Sequence, residues 1–343
     1  MTLDTLFELA EKKKASDVHL AAGRPPTLRI DGQLVPVPKL VSLDEKLVRE
    51  LVFSILSREQ EERFEREREF DFAYQTGHGI RFRVNVHFER ARVGLVARLI
   101  PKKIPTAQEL ELPDAVAALT DLPHGLVLLT GPAGTGKSTT LAALIQIINE
   151  ARAAHVVTLE DPIEFIFPSG KAIIKQREVG SDTLTFAEGL RRVLRQDPNV
   201  VMVGEMRDLD TTATTLTLAE TGHLVFATLH TYNAAETISR IVDIFPPHQQ
   251  VQIRTQLALS LRAVVSQQLF ARRGGGRVAA REIMFMNGAI ANLIRENKIG
   301  QIPSAIQTSA KSGMTTFAQD ITRLVKAEQI EESDALRYLS APT

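Results

Sequence analysis

The chain has 343 residues, more than one hydrophobic core usually organises, so two domains are expected, each large enough to fold without disulfides. Its 41 Lys and Arg balance 41 Asp and Glu, which removes any bulk electrostatic case for nucleic acid or an anionic membrane. The lack of Cys excludes disulfides, a thiol nucleophile and Cys-ligated zinc, while 44% hydrophobic and 24% charged residues fit a folded α/β protein.

The N-terminus, MTLDTLFELAEKKKASD, carries Asp4 and Glu8 and has neither the basic start nor the unbroken apolar core of a signal peptide. No apolar stretch approaches the roughly 20 residues that span a bilayer, so the chain reads as cytoplasmic, without a transmembrane segment, and reaching a membrane only through partners. Leu3, Leu6, Phe7 and Ala10 recur at helical spacing, and a short strand follows at Val18–Leu20. Asp31 and Gly32 between Thr27–Ile30 and Leu34–Val37 predict a hairpin. Residues 43–69 are expected as a charged amphipathic helical region with Leu47, Leu51, Ile55 and Phe64 among its apolar positions. From Ile80 to Phe88 the alternation is clean: Ile80, Phe82, Val84, Val86 and Phe88 share one face of a strand, while Arg81, Arg83, Asn85 and His87 share the other. A second strand, Val93–Ile100, carries Arg98 near its end.

PKKIPTAQELELP supplies three prolines and predicts a linker over 101–112, separating domains at 1–100 and 113–343. Beyond it, strands at Leu126–Leu129, His155–Leu159, Val200–Val203 and Leu224–Leu229 alternate with helices beginning at Lys137, Thr185 and Asp208. That order predicts a mainly parallel sheet covered by helices. After residue 247 the sequence reads as mostly helical, broken by the Gly274–Gly276 turn and a short β-type run at Val278–Met284.

Between the apolar run GLVLLT and the helical run TLAALIQIIN stands GPAGTGKST, which is Gly131, Pro132, Ala133, Gly134, Thr135, Gly136, Lys137, Ser138 and Thr139. Glycines at this spacing let backbone amides wrap phosphate oxygens, Lys137 brings a cation to the β and γ phosphates, and Ser138 offers a hydroxyl to Mg²⁺. The chain is therefore expected to be an ATPase, with ATP and Mg²⁺ as its ligands. The next strand runs into Glu160, Asp161 and Glu164, carboxylates at the end where open α/β sheets bind ligands, one of which is positioned to polarise an attacking water. Glu205, after Val200–Val203, stands where a Walker B acid holds Mg²⁺ directly or through water. His230 ends the Leu224–Leu229 run as a candidate γ-phosphate sensor, and Arg81 and Arg83 are candidate arginine fingers. Each of these has a plainer alternative: a solvated acidic turn, a helix N-terminal charge, a structural histidine, a solvated strand face.

Taken together, GPAGTGKSTTLAALI, VTLEDPIEF, REVGSDTLTFAEGLRRVLRQDPNVVMVGEMRDLDT and TGHLVFATLHT resemble the four nucleotide-site boxes of the type II/type IV secretion ATPase superfamily. ASDVHLAAGRPPTLRIDG, GEMRD, RIVDIFPPHQQ and AIANLIRENKIGQI further resemble its type IV pilus retraction branch, the PilT family, over nearly the whole chain. The resemblance implies a PAS-like N-terminal domain, a RecA-like ATPase domain and a homohexamer, each nucleotide bound between domains and completed by a neighbouring subunit. It implies an inner-membrane platform protein as immediate partner, pilin as indirect cargo and twitching motility as output, at the inner-membrane face of the pilus machine. Lys137 and Ser138 match the Walker A pair, Glu164 the catalytic glutamate, Glu205 the Walker B acid, and His223 and His230 the His box. Arg83 and Arg98 best match the trans-acting arginines, with Arg81 as substitute. Two departures stand out: Ala133 and Thr135 replace the usual Thr and Ser of the P-loop, and Ala291 replaces Arg in the late motif associated with retraction.

Three other readings stay open from the residues. A pilus-assembly or secretion ATPase of the same superfamily is weakened by the lack of a tetracysteine zinc site. A RecA-like nucleic-acid translocase is weakened by neutral charge and few aromatic residues. A noncatalytic nucleotide-dependent scaffold would leave Glu164 idle.

Overall fold

The structure is a computed structural model and describes residues 2–30, 32–38, 40–100 and 103–340. It separates into two compact units, Met1–Lys103 together with Pro162–Ile166, and Ile104–Asp161 together with Phe167–Thr343.

The first unit is α+β: α1 (Leu3–Lys12), β1 (Asp17–Leu20), β2 (Thr27–Ile30), β3 (Gln33–Pro36), α2 (Glu45–Phe53), α3 (Arg58–Glu67), β4 (Glu69–Gln75), β5 (Arg81–Glu89) and β6 (Arg92–Ile100). Its sheet has the order β3-β2-β1-β6-β5-β4 and every pairing is antiparallel. The spacing of Leu3, Leu6, Phe7 and Ala10 puts all four on the buried face of α1, and Phe7 stacks on Phe82 of β5 with ring centroids 4.1 Å apart. Each such buried ring contributes roughly 1.5–3 kcal/mol of transfer free energy. Asp31 of the predicted hairpin lies outside the described residues. Gly32 beside it has φ +80°, backbone that favours glycine.

The helical region expected over 43–69 is divided in the structure. Two helices form, because Ser57 and Gln60 make a reciprocal capping box that starts a new helix at Arg58. The buried face of α2 is Val48, Leu51 and Val52, with Leu47 left exposed, and β4 begins at Glu69.

The second unit holds α4 (Asp114–Ala117), β7 (Gly125–Thr130), α5 (Lys137–Ala151), β8 (His155–Glu160), β9 (Ile173–Glu178), α6 (Phe186–Val193), β10 (Val200–Val203), α7 (Leu209–Glu220), β11 (Leu224–Leu229), α8 (Ala234–Asp243) and α9 (Pro247–Ser260). Then come β12 (Leu261–Ala271), β13 (Arg277–Phe285), α10 (Gly288–Arg295), α11 (Ile302–Thr308), α12 (Phe317–Lys326) and α13 (Glu332–Leu339). The sheet order is β13-β12-β7-β11-β10-β8-β9, parallel throughout except for the β12–β13 pair. Helices cover both faces. Leu126 and Leu128 of β7 join the core beneath α6 to α11, whereas Val127 and Leu129 join the core beneath α5. Thr185 and Asp208 cap α6 and α7 through their side chains, where the sequence places those helix starts.

A mostly helical stretch after 247 is corrected. β12 runs for 11 residues between β7 and β13, and β13 is longer than the run Val278–Met284. Being paired on both sides and covered on both faces, β12 shows almost no polar alternation, which removes the usual strand signal. Ala291 of the late motif lies on α10, buried in the core with Ile290 and Ile294.

Candidate nucleotide site

The P-loop fills the turn from β7 into α5, at the carboxyl edge of the parallel sheet. Gly131, Gly134 and Gly136 have φ of +140°, +80° and +85°, so three successive tight bends fall where residues with side chains are strained. The 15-residue helix α5 begins directly at Lys137, which leaves its first amides and positive dipole end facing the loop. Ala133, Gly134 and Ser138 are exposed on the rim, Pro132 and Thr139 are half-buried, and Thr135 is buried with its hydroxyl donating to the Pro132 carbonyl at 2.9 Å. Thr135 therefore closes the loop internally.

Lys137 is buried and its Nζ donates to the carbonyls of Gly131 at 2.6 Å and Pro132 at 2.9 Å. The same Nζ lies 3.5 Å from His230 Nδ1, and His230 Nε2 lies 3.3 Å from Glu205 Oε2. An ammonium only donates, so a hydrogen bond from Lys137 would be accepted at His230 Nδ1, with Nε2 turned to the Glu205 carboxylate. Arg207 Nε holds the other carboxylate oxygen of Glu205 at 2.5 Å. Parallel register explains the convergence: Thr130 lies beside Leu229, and Ala227 beside Val203, so the ends of β7, β11 and β10 arrive together. Gly204 permits the turn after β10, since a Cβ there would stand 3.0 Å from the Leu159 carbonyl.

The type II/IV secretion system protein family model matches residues 1–274 of the chain. This chain belongs to that family. Within it, the pilus retraction ATPases are its near relatives. The type IV pilus retraction ATPase PilT of Pseudomonas aeruginosa is 46% identical over 342 residues, covering 100% of this chain and 99% of that protein. A twitching motility protein of Neisseria gonorrhoeae is 44% identical over 313 residues, 91% of this chain and 83% of that one. The crystal structure of the pilus retraction motor PilT with bound ADP superposes with a TM-score of 0.93 at 44% identity, covering 100% of this chain and 98% of that one. The family's RecA-like P-loop fold is thus the fold of the second unit.

Other residues quoted for the secretion ATPase boxes fall in different surroundings. Glu160 ends β8, buried, its carboxylate accepting from Thr158 Oγ1 at 2.6 Å and Gln176 Nε2 at 3.0 Å, while Asp161 is exposed. Glu164 belongs to the short segment 162–166 that groups with the first unit, exposed between buried Ile163 and Phe165. His223 precedes β11 whereas His230 follows it, so the strand's length, roughly 20 Å, separates the two. His223 instead bonds through Nδ1 with the Leu218 carbonyl at 3.1 Å.

In the first unit, Arg83 and Arg98 are opposite each other on β5 and β6, and Asp17 of β1 is opposite Arg98. Like charges at such a position repel, and buried Asp17 compensates by accepting from Arg98 Nε at 3.0 Å and pairing with Arg29 at 3.6 Å. Arg83 is exposed, and Arg81 is half-buried.

Two residues of this arrangement escaped the sequence reading. Arg207 stands in the quoted GEMRD, so its proximity to Glu205 was open to inspection. Gln267, buried on β12 and bonded to the P-loop, had no local signal because its partners Thr135 and Thr140 are 132 and 127 residues away.

Proposed function

We propose that the chain is the ATP-hydrolysing motor of type IV pilus retraction, working as a homohexamer at the cytoplasmic side of the inner membrane. The observation that carries this reading is the full-length match to a retraction ATPase together with a P-loop whose lysine, Walker B acid and sensor histidine are linked in one chain of contacts. Among the described residues no helix is long and apolar enough to cross a membrane, and in this reading a membrane-embedded platform protein is the motor's immediate partner.

The loop amides and Lys137 would bind the phosphates, and His230 would exchange its contact with Lys137 for one with the γ-phosphate. The residues fit Mg²⁺, which favours few protein ligands and several waters: Ser138 offers an exposed hydroxyl, and Glu205, with a partner on each oxygen, would act through water. That ion would supply charge neutralisation at the phosphates. Glu164 is the water-polarising base in this reading, and Arg83 and Arg98 are supplied to a neighbouring subunit's nucleotide. Differential affinity of open and closed interfaces for the nucleotide would then generate force.

The test compares ATP hydrolysis by wild type and Glu164→Gln, with particle size and nucleotide binding measured in parallel and single-stranded DNA as an additive. Turnover about 10²–10³-fold lower in a variant that still binds ATP and assembles is the expected result. Unchanged turnover would remove Glu164 from the chemistry. Turnover requiring DNA would transfer the chain to the translocase reading.

A further inference from the structure

Gln267 belongs to none of the nucleotide boxes, yet it meets the P-loop at two places and the first turn of α5 at a third. Its Nε2 donates to the Thr135 carbonyl at 2.7 Å and its Oε1 accepts from Thr140 Oγ1 at 2.9 Å, on a residue 3% exposed. Its own backbone carbonyl closes the third side, because a Cβ at Gly131 would stand 2.4 Å from it. The two side-chain bonds have opposite polarity, one given and one taken. A carboxylate of the same length can only accept, and a thioether does neither well.

We infer that Gln267 is a positioning residue for the nucleotide phosphates, a role that rests on the ATPase reading of the P-loop. In a planar trans peptide the carbonyl and the following N–H point in opposite directions. Anchoring the Thr135 carbonyl on Gln267 therefore turns the Gly136 N–H away from β12, and anchoring Thr140 fixes the first turn of α5 behind it. The loop's amides are held in register by a strand distant in sequence, before any phosphate arrives. Binding then costs less ordering.

The experiment titrates a fluorescent ADP analogue into the full-length wild type, Gln267→Met, Gln267→Glu and Lys137→Ala, with steady-state ATP kinetics on each. Gln267→Met keeps the volume and loses both bonds, and its expected outcome is about tenfold weaker ADP binding with a KM raised by more than kcat falls. Thr140→Val added to it should weaken binding no further. Gln267→Glu keeps the acceptor and loses the donor, so its ADP affinity should be low at neutral pH. It should recover towards pH 5, where a protonated carboxyl can donate to the Thr135 carbonyl, with no such recovery in wild type. Should Gln267→Met fold poorly, the pH profile of Gln267→Glu decides alone. Wild-type affinity in Gln267→Met, a full additional loss from Thr140→Val, or a Gln267→Glu profile that follows wild type would each overturn the inference. A wild-type affinity indifferent to Lys137→Ala would overturn the ATPase reading itself.

Discussion

At the scale of single residues, buried Asp17 shows how an acid can organise a cationic face. Burial acts to raise its pKa, but bonds from the Ser16 hydroxyl and Arg98, with the positive charge of Arg98, outweigh it and hold the carboxyl below its ordinary 3.8. A depressed folded pKa means that the unfolded chain takes up the proton first as pH falls. The contribution of Asp17 is thus present above about pH 4 and lost below it. Asp17→Asn should lower the unfolding midpoint at pH 7 and narrow its difference from wild type at pH 3, as read by thermal unfolding at both values. The sequence shows Arg83 and Arg98 as residues on polar strand positions, but cannot show that they are opposite each other or that Asp17 restrains one of them. That knowledge needs the strand register, set by pairings across the whole first unit. By contrast the P-loop was legible residue by residue, because all its chemistry lies within nine consecutive positions.

Elements that rest on local signals were readable, and those defined by their neighbours were not. The alternation in β5 and the caps of α6 and α7 are written in a few adjacent residues. β12 is hidden because α9 passes into it at Ser260 and Leu261 without Gly or Pro, and because both its faces are covered. β9 is a mostly polar edge strand with Ile173 exposed, which reads as loop. The β12–β13 hairpin also anchors the segment after His230: buried Glu282 of β13 accepts the Ala234 N–H, in the first turn of α8, at 2.9 Å. Burial raises the Glu282 pKa above 4.5, only partly offset by that N–H. A raised folded pKa favours the fold below about pH 4.5 and loses that favour as pH climbs through the folded value. Glu282→Gln keeps the acceptor without the charge, so its urea midpoint at pH 7 should exceed wild type, with the gain vanishing at pH 4.

Across the whole molecule, the path from the proline-rich segment into the second unit is set by a buried arginine. Arg281 donates to the carbonyls of Leu110 at 2.9 Å and Glu111 at 3.0 Å, and burial lowers its pKa to about 10 despite the opposing charge of Asp320. Glu111 in turn pairs with Arg272 and accepts from Gln329 at 3.0 Å. Removing the buried guanidinium leaves two half-buried carbonyls without their donor, so Arg281→Met should lower the melting temperature by several degrees, as followed by calorimetry.

Arg281 is directly opposite Gln267 in the β12–β13 register, and β12 in turn pairs with β7. During synthesis, then, β7 emerges long before the strand that completes it: Thr130 bonds to Ser266, 136 positions later. At about 5–20 residues per second the nascent P-loop waits many seconds with one side of its strand unpaired. On the inference that Gln267 positions the loop, the phosphate site would be complete only after β12 docks.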